Sequence, residues 1–173
     1  MAKLIRAVAW RRLERPFTRK SKFRKKAFVR AVPMSKIVKF DMGDLSRKFE
    51  YVFTLKAKSA LQIRHNALES ARKTSNKVLE SKLGKTGYRL KVRVYPHHVL
   101  RNNPFAAGAG ADRMSTGMQK SFGKSIGLAA RVKKDQPLID IFVDKNGLQY
   151  AKLALQRAGK KFPCSCAIEQ RKL

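Results

Sequence analysis

The sequence predicts an α+β fold in which two helices pack on a mainly antiparallel sheet, preceded by a basic N-terminal arm. Three observations indicate this fold: short segments alternate apolar and polar residues, two longer segments repeat apolar residues at helical spacing, and cations crowd the first thirty residues. The 173 residues suit one domain, which we place at 34–173, with the arm at 1–33 and a long loop at 100–118.

The arm combines cations with aromatic rings. Twelve of residues 1–30 are Lys or Arg, Glu14 is the only acid among them, and Trp10 and three phenylalanines lie between the charges. Because a solvated tail gains nothing from four large rings, we expect an extended arm that orders against RNA, with its rings available for stacking or for docking on the domain. The arm residues predicted to bind RNA are Arg11, Arg12, Arg15, Arg19, Lys20, Lys22, Arg24, Lys25, Lys26 and Arg30.

Two strands are predicted between the arm and the first helix. Pro33 closes the arm, and a strand candidate at 37–42 runs into a turn at Gly43 and Asp44. Residues 51–57 place aromatic and aliphatic side chains at every odd position. Such strict alternation is typical of a strand with one face buried.

The first helix and the strand that follows it have the clearest patterns. Residues 64–83 repeat apolar or small residues at steps of three and four, which predicts a helix, and Gly84 stands where a helix C-terminal glycine belongs. In residues 88–94 the even positions are apolar and the odd positions are all Lys or Arg. One face of this strand therefore belongs in a core, and the other presents a row of cations.

A long loop and a hairpin are predicted next. Segment 100–118 begins with Asn-Asn-Pro after its first two residues and contains three glycines, which favours an extended loop. Strands at 126–132 and 137–143 are separated by a short polar turn, and we expect them to pair as a hairpin.

The chain ends with a second helix and a short strand. The helix is predicted over 146–160, with Asp144 or Asn146 as its N-cap, and the strand over 164–169. Cys164 and Cys166 lack the second pair of ligands that a closed zinc site needs. The N-terminus has no signal-peptide pattern, so we expect a cytoplasmic protein in which both cysteines are thiols.

The net charge of +30 points to a polyanionic partner, since so many like charges oppose the compact state unless they are neutralised. Nucleic acid is the favoured partner; an anionic membrane surface is the alternative, although no apolar run is long enough to span a bilayer. Cations spread over several faces suit a protein surrounded by RNA. Beyond the arm, the residues predicted to bind this RNA are Arg64, His65, Arg89, Lys91, Arg93, His97, Lys120, Lys124 and Arg131.

Motifs for other chemistry are incomplete. Segment 117–125 resembles a phosphate-binding loop but has five residues before its Gly-Lys-Ser where four are required, and 108–113 lacks the third glycine of a dinucleotide fingerprint. His97 and His98 would face opposite sides of a strand, so they cannot easily share a metal. We expect no metal, cofactor or catalytic residue. An RNA-modifying or RNA-cleaving enzyme using these histidines and Asp112, and a free-standing tRNA- or mRNA-binding module, remain alternatives.

The two longest central segments resemble a known family. IRHNALESARKTSNKVLESKLGKTGYRLKVRVYPHHVLRNN (63–103) and GAGADRMSTGMQKSFGKSIGLAARV (108–132) are similar to the universal large-subunit ribosomal protein called sixteen in bacterial naming and ten in archaeal and eukaryotic naming. The resemblance covers roughly 15–168 and is of archaeal type, with the Ala-Gly-Ala-Asp-Arg loop and no long C-terminal extension. Gln119 and Ser125 stand where the family usually has Arg and Pro.

The resemblance implies a structural constituent of the large ribosomal subunit, with a two-helix α/β-hammerhead type of fold and no enzymatic activity. Its partners would be large-subunit ribosomal RNA, neighbouring ribosomal proteins, and tRNA in the aminoacyl site or, as the alternative, the peptidyl site. No membrane and no stable homo-oligomer are expected. The loop at 101–117 would point toward tRNA and the peptidyl transferase centre; its residues concerned are Arg101, Asn102, Asn103, Gly108, Gly110, Asp112 and Arg113.

Overall fold

A computed structural model describes residues 6–13, 15–105, 110 and 115–173. These ranges contain two α-helices and eight strands. Their order is β1 (Asp41–Gly43), β2 (Tyr51–Ala57), β3 (Leu61–Arg64), α1 (His65–Leu83), β4 (Tyr88–Val92), β5 (His98–Asn102), β6 (Lys124–Val132), β7 (Pro137–Val143), α2 (Leu148–Gly159) and β8 (Cys166–Lys172). None of the helices described is long and apolar enough to cross a membrane.

The strands form two sheets. The larger has five strands in the order β1-β4-β7-β2-β8, and the smaller has three in the order β3-β6-β5. Every pairing is antiparallel. The α+β class with two helices packed on antiparallel sheet is therefore confirmed, with the strands divided between two sheets.

The predicted hairpin of β6 and β7 is wrong. β6 pairs with β3 and β5 in the small sheet, whereas β7 pairs with β4 and β2 in the large one. The connection between them is bonded to the end of β2: Asp135 N–H donates to Ala57 O at 2.8 Å, and Ala57 N–H donates to Gln136 O at 3.2 Å. The short polar turn thus carries the chain from one sheet to the other.

The main core lies where the helices meet the large sheet. Leu55 of β2 and Ile141 of β7 point inward and are completely buried, together with Leu155 of α2. Ala71 of α1 and Ala151 of α2 are completely buried, and the two helices contact each other. Each large aliphatic side chain buried here contributes about 1.5–3 kcal/mol to stability.

The ends of both helices show which local signals decide them. α1 stops at Gly84, as predicted, where φ is +70° and the glycine N–H donates to Glu80 O at 3.2 Å. The cap prediction for α2 is wrong, because the helix follows a 3₁₀ turn at Lys145–Gly147 and has no side-chain cap. The Asp144 carboxylate instead accepts a hydrogen bond from Arg47 Nη2 at 2.6 Å.

Several strand boundaries differ from the predictions. The first strand shortens to Asp41–Gly43, and the last shifts to Cys166–Lys172. Two strands were not predicted: β3, which runs directly into α1, and β5, which occupies the beginning of the predicted loop. Both belong to the small sheet, whose middle strand β6 satisfies their backbone groups from more than twenty residues away along the chain.

Candidate nucleic-acid interface

The acids among the described residues lie in and beside the large sheet and in α1. Nine of the eleven lie in α1, in strands of the large sheet, or within two residues of those strands. The other two, Glu14 and Asp112, lie outside the described residues. As described, the arm and the small sheet therefore contain no acid, and we call these two parts together the cationic half.

The backbone of the arm is fixed on the small sheet. Gln62 of β3 donates twice to it, from its backbone N–H to Arg11 O at 2.9 Å and from Nε2 to Arg12 O at 2.7 Å. On β5, Val99 N–H donates to Thr18 Oγ1 at 2.8 Å. A second anchor is Val29, which is buried in a small cluster with Val99 and Leu128. The described part of the arm is thus held at three places, at 11–12, at Thr18 and at Val29.

Docking leaves the arm's cations facing outward. All ten Lys and Arg residues of the arm that are predicted to bind RNA are exposed. The arm backbone buries Val29 against the small sheet and leaves these long charged side chains in solvent. That these cations bind RNA stays a prediction. Their mutual repulsion is relieved only by a bound polyanion or by salt, because no acid of the described chain pairs with them.

Two aromatic residues of the arm, Trp10 and Phe17, lie against the domain. The Trp10 ring lies 5.0 Å from the Arg64 guanidinium, and Phe17 meets Phe122 edge to face with ring centroids 5.7 Å apart. Docking, one of the two roles predicted for these rings, is therefore observed. Phe17 and Phe122 nevertheless remain 43% and 46% exposed, so each ring keeps a surface for another partner.

Arg101 has a structural task in β5. Its guanidinium donates to three backbone oxygens: Phe122 O at 3.0 Å, Gly123 O at 2.5 Å and Phe28 O at 3.2 Å. The same group lies 3.9 Å from the Phe122 ring centroid. Partial burial lowers the pKa of Arg101. The residue predicted to reach tRNA thus joins the arm, β5 and the segment before β6.

The rest of the predicted tRNA-facing loop is described only in part. Asn102 ends β5, and Asn103 Nδ2 donates to Gly117 O at 3.0 Å, which ties the two ends of the loop together. Gly110 is exposed and has a φ of +81°. The remaining loop residues predicted to face tRNA lie outside the described residues; they are Gly108, Asp112 and Arg113.

The predicted cation row of β4 faces acids from neighbouring strands. Arg89 Nη2 lies 3.6 Å from Asp41 Oδ1, and Arg93 Nε lies 3.4 Å from Asp140 Oδ2. Lys91 is the ladder partner of both acids. This outer face of the large sheet carries both signs of charge, so its cations are less available to RNA than those of the arm.

The histidines differ in setting. His97 is exposed, whereas His98 is buried and donates from Nδ1 to Gln62 Oε1 at 2.5 Å, so the two do face opposite sides as predicted. His65 is buried and accepts the Lys36 N–H at Nδ1 over 3.3 Å. Desolvation, and then the charges of Lys36 and Arg64, lower its pKa, which keeps this predicted RNA contact neutral and inside the protein.

The remaining predicted cations follow the small sheet. Lys124 and Arg131 are exposed near opposite ends of β6, and Arg131 is the ladder partner of Gln62, where the arm is anchored. The side chain of Lys120 lies outside the described residues.

Cys164 and Cys166 have their sulfur atoms 3.8 Å apart, and within the described ranges no group of three or more potential ligands could hold a metal.

Sequence reasoning missed two residues that organise the interface, Gln62 and Phe122. Gln62 is polar and only 4% exposed. It lies in a strand of four residues, which is too short for the surrounding sequence to indicate that a polar side chain is buried. Phe122 lies between the predicted loop, which ends at 118, and the strand predicted from 126, in a segment to which no element was assigned. The one available signal was its aromatic ring between polar and glycine neighbours.

Comparison with known proteins gives a consistent result. The sequence profile of the ribosomal protein L16p/L10e family matches residues 18–169. Three archaeal proteins, each named large ribosomal subunit protein uL16, are similar over most of the chain. That of Methanococcus maripaludis is 50% identical over 146 residues, covering 84% of both chains. That of Archaeoglobus fulgidus is 45% identical over 159 residues, covering 92% of this chain and 88% of its own. That of Methanococcus aeolicus is 47% identical over 149 residues, covering 86% of both.

Proposed function

The chain belongs to the ribosomal protein L16p/L10e family, and from that premise we propose how it is built into the ribosome. As a family member it is a structural constituent of the large ribosomal subunit, associated with ribosomal RNA and other ribosomal proteins, and it is not an enzyme. The proposal concerns which surface meets the RNA and what that contact does for tRNA.

The cationic half is the surface that contacts large-subunit ribosomal RNA. One observation carries this assignment. The small sheet contains no acid, the arm is bonded to it through its backbone, and the ten cations of the arm are all exposed. Each cation that neutralises a phosphate releases counterions, which provides affinity without reading sequence. A fixed backbone reduces the conformational entropy lost on binding, because the arm is already ordered.

The loop that follows β5 supports tRNA in the aminoacyl site, near the peptidyl transferase centre. Both of its ends are anchored, by the three bonds of Arg101 and by the bond from Asn103 to Gly117. An anchored base lets a loop extend from the particle while its root stays in place. Arg113 is the cation of this loop that we assign to tRNA, and Arg101 positions the loop root.

Sedimentation of reconstituted large subunits tests the RNA surface. Replacing Arg15, Arg19 and Lys20 with Gln should release the protein at lower salt than wild type, and should reduce the salt slope of RNA binding by about one for each phosphate that is no longer neutralised. The matched control replaces the exposed Lys152 and Arg157 of α2 and Lys160 directly after it, which removes the same charge from outside the cationic half. Equal release of the two variants would overturn the surface assignment.

The role of the loop needs a separate readout. Arg113→Ala should slow accommodation of aminoacyl-tRNA in subunits that retain the protein in normal amounts, because only the proposed tRNA contact is removed. Unchanged accommodation would remove tRNA positioning from the proposal and would leave the RNA surface intact.

A further inference from the structure

A groove between the arm and the small sheet has the character of a binding site for one base. It has a volume of about 280 Å³, and three aromatic rings line it: Trp10, Phe17 and Phe122. We propose that it receives a single unpaired nucleobase of RNA, stacked among these rings. The inference rests on the proposed function, since RNA must surround the cationic half for a base to reach the groove.

The rings keep exposed surface for stacking, although Arg64 lies over one face of Trp10 and Arg101 over one face of Phe122. Phe17 and Phe122 are set at 85° to each other and both remain nearly half exposed. Trp10 is half-buried and has the Arg64 guanidinium over its ring. Stacking on an aromatic side chain works with any base, since every base has a π-face.

Positive charge surrounds the rings, and among the described residues no acid lines the groove. The Arg101 guanidinium is held against Phe122 by bonds to carbonyl oxygens alone, so its charge is not cancelled by a carboxylate. Arg15 lines the rim, is exposed, and has no hydrogen bond or ion pair within the described residues. A nucleotide brings what this combination lacks: a flat ring for the aromatic walls and a phosphate for Arg15.

The groove is preformed. Its floor is the buried pair of Gln62 and His98, fixed by their mutual bond and by the bond from Gln62 to Arg12 O. Its outer wall is held by Gly123, which packs so closely on Asn102 that a Cβ would lie 2.5 Å from the Asn102 carbonyl carbon. Rigid walls mean that little ordering is required when the base enters. Most floor groups already have partners, so binding through ring faces is favoured over readout of base identity.

Photo-crosslinking tests the site in the assembled particle. A benzophenone amino acid replaces Phe122, the protein is incorporated into large subunits, and the crosslinked nucleotide is mapped after irradiation. We expect one predominant nucleotide, linked through its base, with about ten times the yield of a control. The control carries the same substitution at Phe142, a half-buried ring beneath Arg89 on the outer face of the large sheet.

Each outcome decides something distinct. The base site is overturned if the subunits retain the protein but the crosslinks go to a neighbouring protein, to ribose alone or to no RNA. The proposed RNA surface is not affected by that result. If neither variant enters subunits although both fold, the proposed function itself fails. In the Phe122-labelled protein, Trp10→Ala should lower the crosslink yield several-fold and Trp10→Phe should retain it. Equal yields in both would show that Trp10 is not a wall of the site.

Discussion

The side-chain amide of Gln62 holds the arm on the small sheet by donating a hydrogen bond to Arg12 O at 2.7 Å. The same side chain accepts the Nδ1 proton of His98 through its Oε1. Both polar ends of the amide are thereby occupied inside a site only 4% exposed, which fixes its orientation. Because one residue links the arm, β3 and β5, its replacement provides the most direct test of how the arm is held.

Gln62→Ala should lower the free energy of unfolding by about 1–3 kcal/mol, because it removes the acceptor of a buried histidine proton and the donor to the arm. Urea denaturation of the isolated protein measures this loss. Gln156→Ala is the control, since Gln156 is exposed on α2. A loss no larger than that of the control would show that the buried amide bonds do not contribute.

Arg101→Lys should loosen the arm while keeping the charge. A lysine amine cannot reach all three carbonyl oxygens that the guanidinium fork bridges, so the bond to Phe28 O should be lost first. Limited trypsin digestion should then cut the arm several-fold faster than in wild type. Arg15→Lys, at an exposed position that has no partner among the described residues, should leave the cutting rate of the remaining arm sites unchanged. Equal protection in the two variants would contradict the clamp.

His65 should make stability fall in mild acid. Its pKa is lowered in the folded state from the ordinary 6.5, so below that pH the unfolded chain binds more protons than the folded one. The stabilisation is therefore complete above pH 6.5 and is lost progressively as the pH falls toward the folded pKa. Urea midpoints measured between about pH 5 and 8 should flatten in His65→Gln. The exposed His97→Gln serves as control, and flattening there instead would contradict the assignment.

Gly123→Ala should be far more harmful than Gly84→Ala. Both glycines have positive φ, +74° and +70°, so each substitution should cost about 1–2 kcal/mol in backbone strain. At Gly123 the new Cβ would also overlap the Asn102 carbonyl, whereas nothing lies within 4 Å at Gly84. Overlap of this kind adds about 1–3 kcal/mol. Thermal unfolding of the two variants measures the difference, and equal losses would show that the close approach to β5 relaxes freely.

Elements set by local periodicity could be predicted from the sequence. β2 matches its predicted range of 51–57, and α1 begins within one residue of its predicted start. In both, the buried face repeats along the segment itself, so a short window contains all the information. The same reasoning gave the exposed cations of the arm, because a side chain with a charged end rarely becomes buried without a partner.

Features that depend on distant partners could not be predicted. The separation of β6 from β7 is decided by which strands they meet across the sheets, and nothing in the turn between them encodes it. At the interface, Arg101 carries the charge expected of a ligand-binding residue. Its guanidinium N–H groups nevertheless donate to the backbone oxygens of Phe122 and Phe28, which belong to two other segments of the chain. Similarly, Arg93 is next to Asp140 only because β4 and β7 are neighbours in the large sheet.

Because the described acids lie in and beside the large sheet and in α1, the charge of the free protein is unevenly distributed, which gives a dipole whose positive end is the cationic half. In the field of a polyanion, such a protein is oriented before contact, so that the arm and the small sheet face the polyanion. Productive encounters then form a larger share of all collisions, and the rate of association rises as ionic strength falls. The acids of the large sheet thus act at a distance, by setting the direction in which the protein arrives.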